Sequence, residues 1–346
     1  MTRNQQKALF AAAGLGLGVL GRGLLKARKT TAEMRGSVVF ITGGSRGLGL
    51  AMAREFAANG AKIVICARDE NELDRASHDL KKRGAVVLTL RCDVRDREAV
   101  ESAIDQAVAY FGRIDVLVNN AGVIEVGPVE NMSVEDFKEA MDVMFWGVVY
   151  PTLAVLPRMV ARKSGRIVNI TSIGGKVSVP HLLPYSCAKF AAVGFSEGLR
   201  AELLGKGITV TTIAPGLMRT GSFLNAFFKG KQEDEAAWFG ISSSLPLVSM
   251  SAERAASQIV EATRRGEAQR VLTMPAKVLS HAHGAAPGVI ADLLGLANLL
   301  LPRATKSKRR SVGRALMRLP LPWMQIATFL GRKAARRLLQ PAASRA

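Results

Sequence analysis

Three side chains near the middle of the chain could together move a proton to or from a bound oxygen atom. Ser172 follows an apolar, β-branched run, Tyr185 comes thirteen residues later, and Lys189 lies four residues beyond it. Residues four apart share one face of a helix, so Tyr185 and Lys189 should be neighbours. A nearby ammonium lowers the pKa of a phenol, which predicts that Tyr185 acts as general acid or base near neutral pH while Ser172 hydrogen-bonds the same oxygen.

A glycine-rich turn near the start of the chain could hold a dinucleotide. T-G-G-S-R-G-L-G occupies positions 42–49, between an apolar strand-like run and a helix-like stretch. Glycines let the backbone approach a pyrophosphate closely, and the N terminus of the following helix favours its negative charge. The spacing differs from the general G-x-G-x-x-G, so the strand–turn–helix setting carries the prediction. The predicted cofactor-binding residues of this turn are Gly43, Ser45, Arg46, Gly47, Leu48 and Gly49.

The end of the second strand indicates which dinucleotide is bound. A site for NAD usually has an acidic residue there, which binds the ribose hydroxyls. This chain has Cys66 and Ala67 instead, followed by Arg68. The guanidinium groups of Arg46 and Arg68 suit a 2′-phosphate, so we predict NADP(H). The alternative is two solvent-facing arginines in a basic protein.

Seven strand-like runs alternate with helix-like stretches between residues 37 and 274 and would position these groups. The predicted strands are Ser37–Thr42, Lys62–Cys66, Val86–Leu90, Asp115–Val118, Arg166–Thr171, Ile208–Ile213 and Arg270–Thr273. The predicted helices between them include Leu48–Asn59, Glu70–Arg83, Arg97–Phe111, Val134–Met159 and Tyr185–Leu204. This alternation predicts an α/β fold with a parallel sheet covered by helices on both faces.

Together these motifs resemble those of the classical short-chain dehydrogenase/reductase family. The motifs are T-G-G-S-R-G-L-G at 42–49, N-N-A-G at 119–122, Ser172, Y-S-C-A-K at 185–189 and P-G-L-M-R-T at 215–220. They occur in the family's order and spacing, over roughly residues 36–274. The resemblance implies a Rossmann-type, doubly wound sheet of seven parallel strands in the order 3-2-1-4-5-6-7. It also implies interconversion of a ketone or aldehyde with an alcohol.

The resemblance assigns further residues to the cofactor site. Asp93 and Val94 are expected to hold the adenine, and Lys189 the nicotinamide ribose. The Arg46 and Arg68 pair matches the NADP-preferring subclass. The other residues expected along the nucleotide and nicotinamide are Asn120, Ala121, Gly122, Tyr185, Pro215, Gly216 and Thr220.

One position departs from the family pattern. Met144 stands in V-M-F-W-G at 143–147, where the family usually has an asparagine that holds a water of the proton relay. A thioether is a weak acceptor and donates nothing. Either water reaches Lys189 by another route or turnover is impaired; with Ser172, Tyr185 and Lys189 present we expect an active enzyme. The alternative is a non-catalytic NADP(H)-binding sensor or a membrane-associated scaffold.

Charge and hydropathy divide the chain into three parts. The net charge of +20 is concentrated at the ends: +6 in residues 1–36 and +12 in 275–346, which leaves +2 for the rest. We therefore predict an apolar and basic N-terminal extension at 1–35, a catalytic domain at 36–274 and a basic, amphipathic C-terminal extension at 275–346.

The two extensions favour an anionic membrane surface on the cytoplasmic side. Ala8–Gly21 is an unbroken apolar run with more basic charge after it than before it, and Val289–Leu301 is apolar and followed by the basic segment Arg303–Arg318. Long apolar runs and few aromatic residues between the basic residues make nucleic acid a poor fit. The alternatives are an N-terminal helix packed on the domain and a C-terminal arm packed across a dimer.

The segment Leu217–Met250 suggests a substrate class. It contains five aromatic residues and follows the sixth strand, at the sheet edge where ligands bind in such folds. An apolar flap over a lipophilic carbonyl compound is one interpretation, and ordinary packing of an inserted helix pair is the other.

The remaining polar residues suggest no further cofactor. Cys66, Cys92 and Cys187 have no paired spacing and are predicted to be reduced thiols. His281 and His283 have no acidic or cysteine companions, so a loop is expected there and no metal site. The family resemblance implies a homodimer or homotetramer.

Overall fold

A seven-stranded parallel sheet forms the centre of the computed structural model, which describes residues 33–316 and 326–340. The strands are β1 (Val38–Thr42), β2 (Lys62–Ala67), β3 (Val87–Arg91), β4 (Val116–Asn119), β5 (Gly165–Ile170), β6 (Ile208–Pro215) and β7 (Gln269–Leu272). Their order is β3-β2-β1-β4-β5-β6-β7, which confirms the predicted topology. Successive strands are added to one side of β1 up to β3 and to its other side from β4 onwards. At this switch in strand order a crevice opens at the carboxyl ends of β1 and β4.

Helices cover both faces of the sheet. They are α1 (Gly47–Ala58), α2 (Glu70–Lys82), α3 (Arg97–Phe111), α4 (Val134–Met141), α5 (Gly147–Ala161), α6 (Leu183–Glu202), α7 (Gln232–Ser244), α8 (Ala252–Arg265), α9 (Met274–Ala285), α10 (Pro287–Asn298), α11 (Gly313–Leu316) and α12 (Phe329–Arg337). Every residue of β1 is buried, because alternate side chains enter two different cores. Val39 and Ile41 pack with α1, α2 and α8, whereas Val38 and Phe40 pack with α3, α5 and α6.

A π-helical turn, Asp142–Trp146, joins α4 to α5 and contains Met144. The resulting continuous helix, Val134–Ala161, matches the predicted helix over 134–159. Within the part of the chain that the structure describes, it is also the one helix whose length and composition would allow it to cross a membrane. Its residues Val155 and Met159 lie in the core beneath the sheet.

The segment Leu217–Met250 consists of short strands, a 3-10 turn and α7, and not of a helix pair. Phe223, Phe228 and Phe239 are buried in a small core of their own with Val126. Trp238 donates its indole N–H to Glu235 at 2.6 Å. Ordinary packing therefore accounts for most of the aromatic residues of this segment.

Part of the C-terminal extension packs back onto the domain. Ser311–Val312 pairs antiparallel with Phe227–Phe228, and α12 lies against the segment that follows β6. The prediction of a loop at His281 and His283 is wrong, because both lie in α9, which Pro275 and the Thr273 cap initiate. Ala8–Gly21, positions 317–325 with Trp323, and the last six residues lie outside the described residues.

Candidate active site

The glycine-rich turn leaves β1 and enters α1 in a conformation that requires glycine. Gly43 has a φ of +62°, and a Cβ on it would lie 2.9 Å from the Cα of Ala121. A Cβ on Gly49 would overlap the carbonyl oxygen of Gly43 and approach Asn120 Nδ2 to 2.7 Å. At Gly43 and Gly49 the backbone of the turn therefore carries no side chain, and the turn leads into the N terminus of α1. This arrangement fits the pyrophosphate of a dinucleotide.

Asn120 and Thr42 fix the shape of this turn from the end of β4. The Asn120 side-chain amide donates to the carbonyl oxygens of Thr42 and Gly43, both at 3.0 Å. The Thr42 hydroxyl accepts from the backbone N–H groups of Asn120 and Ala121, at 2.9 and 3.1 Å. The motif N-N-A-G thus supports the turn, in addition to the lining role expected for Asn120, Ala121 and Gly122.

Asn119 belongs to a separate chain of buried polar side chains. Its amide donates to Asn169 at 2.8 Å and to Thr152 at 3.0 Å. Asn169 donates to Ser196 at 2.9 Å, and Ser196 contacts Thr212 at 2.7 Å. These bonds connect β4, β5, β6 and α6 behind the site. They also pair buried polar groups that would be costly to leave without a partner.

Arg46 is held in place by residues that the sequence analysis does not identify. Its guanidinium donates to Glu72 at 2.9 Å and to Asn225 at 3.3 Å, and Ser45 donates to the same carboxylate at 3.0 Å. Burial lowers the pKa of Arg46; Glu72 raises it, and the nearby charges of Arg314 and Arg68 lower it. Three guanidinium groups therefore lie around one region beside the turn.

The end of β3, where Asp93 and Val94 are expected to hold the adenine, lies next to the end of β2. Asp93 forms an ion pair with Arg95 at 2.6 Å, and Val94 is buried against Met144 and Ala188. The prediction of reduced thiols agrees with the structure: Cys66 lies in β2 and Cys92 directly follows β3, and both are buried. Both are free thiols, and Cys187 is exposed.

Ser172, Tyr185 and Lys189 converge at the carboxyl ends of β5 and β6. The Ser172 hydroxyl accepts from the Gly174 N–H at 3.0 Å, and a Cβ built on Gly174 would lie 3.4 Å from this hydroxyl and 3.2 Å from the Tyr185 ring. The Lys189 ammonium lies 5.8 Å from the Tyr185 ring centre and donates to the Ile170 carbonyl oxygen at 2.9 Å. The three side chains therefore line one pocket, in which Ser172 and Lys189 are buried and Tyr185 is partly exposed. Tyr185 packs in the same cluster as Ala121, which lies against Gly43 of the turn.

The expected lowering of the Tyr185 pKa is wrong for this geometry. Burial raises the pKa of Tyr185, and the hydrogen bond from Ser172 lowers it by less. Burial also lowers the pKa of Lys189 to about 8. Desolvation disfavours the charged form of each group, so the pair is held as phenol and a readily deprotonated ammonium.

Met144 is fully buried directly beside this pocket. It packs with Ala188 and Tyr185, and a Cβ on Gly122 would lie 3.8 Å from its sulfur. The site therefore has an apolar wall at the position where the family pattern predicts an amide. π-Helical turns such as the one that contains Met144 occur frequently at functional sites.

The predicted nicotinamide border lies at the end of β6. Pro215 ends the strand, and Gly216 is required there because a Cβ would overlap the Thr273 hydroxyl. The Thr220 hydroxyl accepts from the Ser222 N–H at 3.2 Å, and its carbonyl oxygen accepts from Gln340 at 3.1 Å. Gln340 is distant in sequence from every motif, so no local signal could have identified it.

Metal-binding residues do not cluster in residues 33–316 and 326–340. Within these ranges no group of three or more histidine, cysteine or acidic side chains is arranged to hold a metal ion.

Comparison with known proteins identifies the family. A family model described as short chain dehydrogenase matches residues 37–228. The dehydrogenase/reductase SDR family protein 7-like of Anopheles gambiae is 36% identical over 249 residues, which cover 70% of this chain and 77% of that protein.

Solved structures agree with this assignment. A short-chain dehydrogenase from Streptomyces avermitilis has a TM-score of 0.64 at 30% identity, covering 77% of this chain and 97% of that one. A variant of actinorhodin polyketide ketoreductase with NADPH has a TM-score of 0.61 at 29% identity, covering 69% and 95%. The chain therefore belongs to the short-chain dehydrogenase/reductase family. It is an NAD(P)-dependent oxidoreductase.

The close approach at Gly49 generates a prediction about cofactor binding. Gly49→Ala should reduce dinucleotide affinity at least tenfold, because its Cβ would displace the Gly43 carbonyl and the Asn120 amide that shape the turn. Gly194→Ala is the matched control, since a Cβ on this helical glycine meets nothing within 4 Å. Fluorescence titration with NADPH measures both variants, and equal affinities would contradict the assigned turn.

Proposed function

We propose that this protein reduces a lipophilic ketone or aldehyde with NADPH, with Tyr185 as the general acid. The observation that carries the proposal is the convergence of three side chains: a Cβ built on Gly174 would lie 3.4 Å from the Ser172 hydroxyl and 3.2 Å from the Tyr185 ring, and the Lys189 ammonium lies 5.8 Å from the centre of that ring. The phenol is protonated at neutral pH and can donate to a carbonyl oxygen, and a charged Lys189 would stabilise the phenolate that forms.

NADP(H) is the proposed cofactor. Arg46 and Arg68 lie close enough for the charge of one to affect the pKa of the other, and the structurally similar polyketide ketoreductase contains NADPH. The last two residues of β2, Cys66 and Ala67, are not acidic, and the exposed Arg68 follows them directly. An anionic 2′-phosphate would offset these like charges.

Tyr185, Ser172 and Lys189 each have a separate role in the reduction. When bound, the reduced nicotinamide supplies a hydride. Tyr185 donates its proton to the carbonyl oxygen, and Ser172 orients that oxygen through its hydroxyl. Lys189 then stabilises the phenolate until a proton returns to Tyr185 from solvent.

Apolar surroundings support a lipophilic substrate. Met144 lines the pocket beside Tyr185, and the segment Leu217–Met250 follows the nicotinamide border. Phe227 and Trp238 are the partly exposed aromatic residues of that segment, whereas Phe223, Phe228 and Phe239 are buried.

The test of this proposal is NADPH oxidation with a panel of lipophilic ketones and aldehydes. Wild-type protein should turn over at least one of them, and Tyr185→Phe should lower kcat at least a thousandfold with an unchanged NADPH dissociation constant, because only the proton donor is lost. Tyr110→Phe, an exposed tyrosine on α3, is the matched control. Tight NADPH binding without turnover on any compound would instead favour the sensor or scaffold, the second candidate, which Met144 supports.

We also propose that α9 and α10 bind an anionic membrane surface from the cytoplasmic side. No residue of α10 is buried, and Leu293, Leu296 and Leu300 are 54%, 62% and 88% exposed. The exposed Lys306, Lys308 and Arg309 follow in sequence. Exposed apolar helices next to basic residues are typical of interfacial binding.

Vesicle co-sedimentation tests this surface. Leu293→Ser, Leu296→Ser and Leu300→Ser together should weaken binding of the full chain to phosphatidylserine vesicles at least tenfold, because each leucine contributes about 1.5–3 kcal/mol on burial. A matched triple variant with serine at Val86, Val134 and Leu204, which are similarly exposed elsewhere, should bind like wild type. Equal loss in both triples would exclude a dedicated surface.

A homodimer or homotetramer is the remaining proposal about partners. Trp146 stacks on Tyr150 at 5.5 Å on the outer face of the long helix, and both Trp146 and Leu153 are exposed there. An exposed aromatic and aliphatic face of this kind is typical of a contact between subunits.

A further inference from the structure

The last described helix, α12, ends directly on the glycine-rich turn. The Gly47 N–H donates to the Leu338 carbonyl oxygen at 3.0 Å. Two residues later, Gln340 donates to the Thr220 carbonyl oxygen at 3.1 Å and accepts from the Asn225 amide at 2.6 Å. Residues Phe329–Gln340, here called the strap, thus connect the pyrophosphate-binding turn to the nicotinamide border.

The strap is packed tightly onto the domain. Leu338 is fully buried in the same core as Leu48 of α1. A Cβ on Gly221 would lie 2.7 Å from the Cα of Ala335, and one on Gly331 would lie 2.8 Å from the Phe223 ring. Glycine at these two positions lets the strap approach the site this closely.

The end of the strap presents its carbonyl to the turn. The Gln340 N–H donates to Ala335 and the Leu339 N–H to Arg336, which is the Schellman arrangement that ends many helices. The position in the left-handed region is Leu339, with a φ of +54°, where glycine is usual. This strained end leaves the Leu338 carbonyl oxygen for Gly47.

The contact between Leu338 and Gly47 uses the same electrostatic interaction that would bind the cofactor, so the two compete. The partly negative C terminus of α12 faces the partly positive N terminus of α1. The same helix end, with its free N–H groups, is what binds a pyrophosphate in dinucleotide-binding folds. The Leu338 carbonyl and a pyrophosphate therefore need the same donor and the same space.

We propose that the strap is autoinhibitory: it occupies the pyrophosphate position on α1, and dinucleotide binding requires its displacement. The proposal rests on the assignment of the glycine-rich turn and of NADP(H) made above. Arg332, Lys333, Arg336 and Arg337 make the strap basic, although it excludes an anion. The strap therefore excludes the pyrophosphate through the Leu338 carbonyl oxygen and through the space that the strap fills, and not through its charge.

Fluorescence titration and stopped-flow binding of NADPH test the strap in the full chain. Gln340→Ala removes two hydrogen bonds and should lower the NADPH dissociation constant about fivefold, through faster association with unchanged dissociation. Lys333→Ala, on the exposed side of the same helix, is the matched control and should bind like wild type. Saturable binding by wild type tests the cofactor assignment by itself; only the difference between the variants tests the strap.

Hydrogen exchange supplies a second readout that does not depend on a variant. NADPH should increase amide exchange in residues 338–340 and tryptic cleavage after Arg336 and Arg337, because the displaced strap loses its contacts. An unchanged or raised dissociation constant in Gln340→Ala, or protection of the strap by NADPH, would overturn the proposal.

Discussion

The close contact between the glycine-rich turn and the end of β4 is the constraint on which the rest of the site depends. Asn120 bonds the carbonyl oxygens of Thr42 and Gly43, and no side chain fits at Gly43 or Gly49 without displacing these groups. That contact aims the N terminus of α1 at the crevice between β1 and β4. It also places Arg46 beside Glu72 and exposes the Gly47 N–H to the strap.

Burial sets the proton chemistry in the neighbouring pocket. It raises the pKa of Tyr185 and lowers that of Lys189 to about 8, so both groups are moved toward their neutral forms. Because a raised pKa weakens the phenol as an acid, donation of its proton to a carbonyl oxygen depends on a charged Lys189 to stabilise the resulting phenolate. Met144 makes the pocket more apolar, because it stands where the family pattern has a polar asparagine.

All seven strands and the convergence of Ser172, Tyr185 and Lys189 could be predicted from apolar periodicity and motif spacing, which are local properties, whereas the strand order followed only from the family resemblance. The sequence did not predict that Glu72, Asn225 and Gln340 surround Arg46 and the turn, since these residues meet only through folding across long separations. The raised pKa of Tyr185 was missed for a related reason. Spacing brings an ammonium near a phenol, but it does not report how deeply both are buried.

The pH dependence of carbonyl reduction tests whether Lys189 and Tyr185 act together as one catalytic pair. At saturating NADPH, kcat/KM should be constant below pH 8 and fall above it, because Lys189 loses its charge near its pKa of about 8 while Tyr185 stays protonated. A kcat/KM that rises with pH, or that stays flat to pH values well above the Lys189 pKa, would contradict the account.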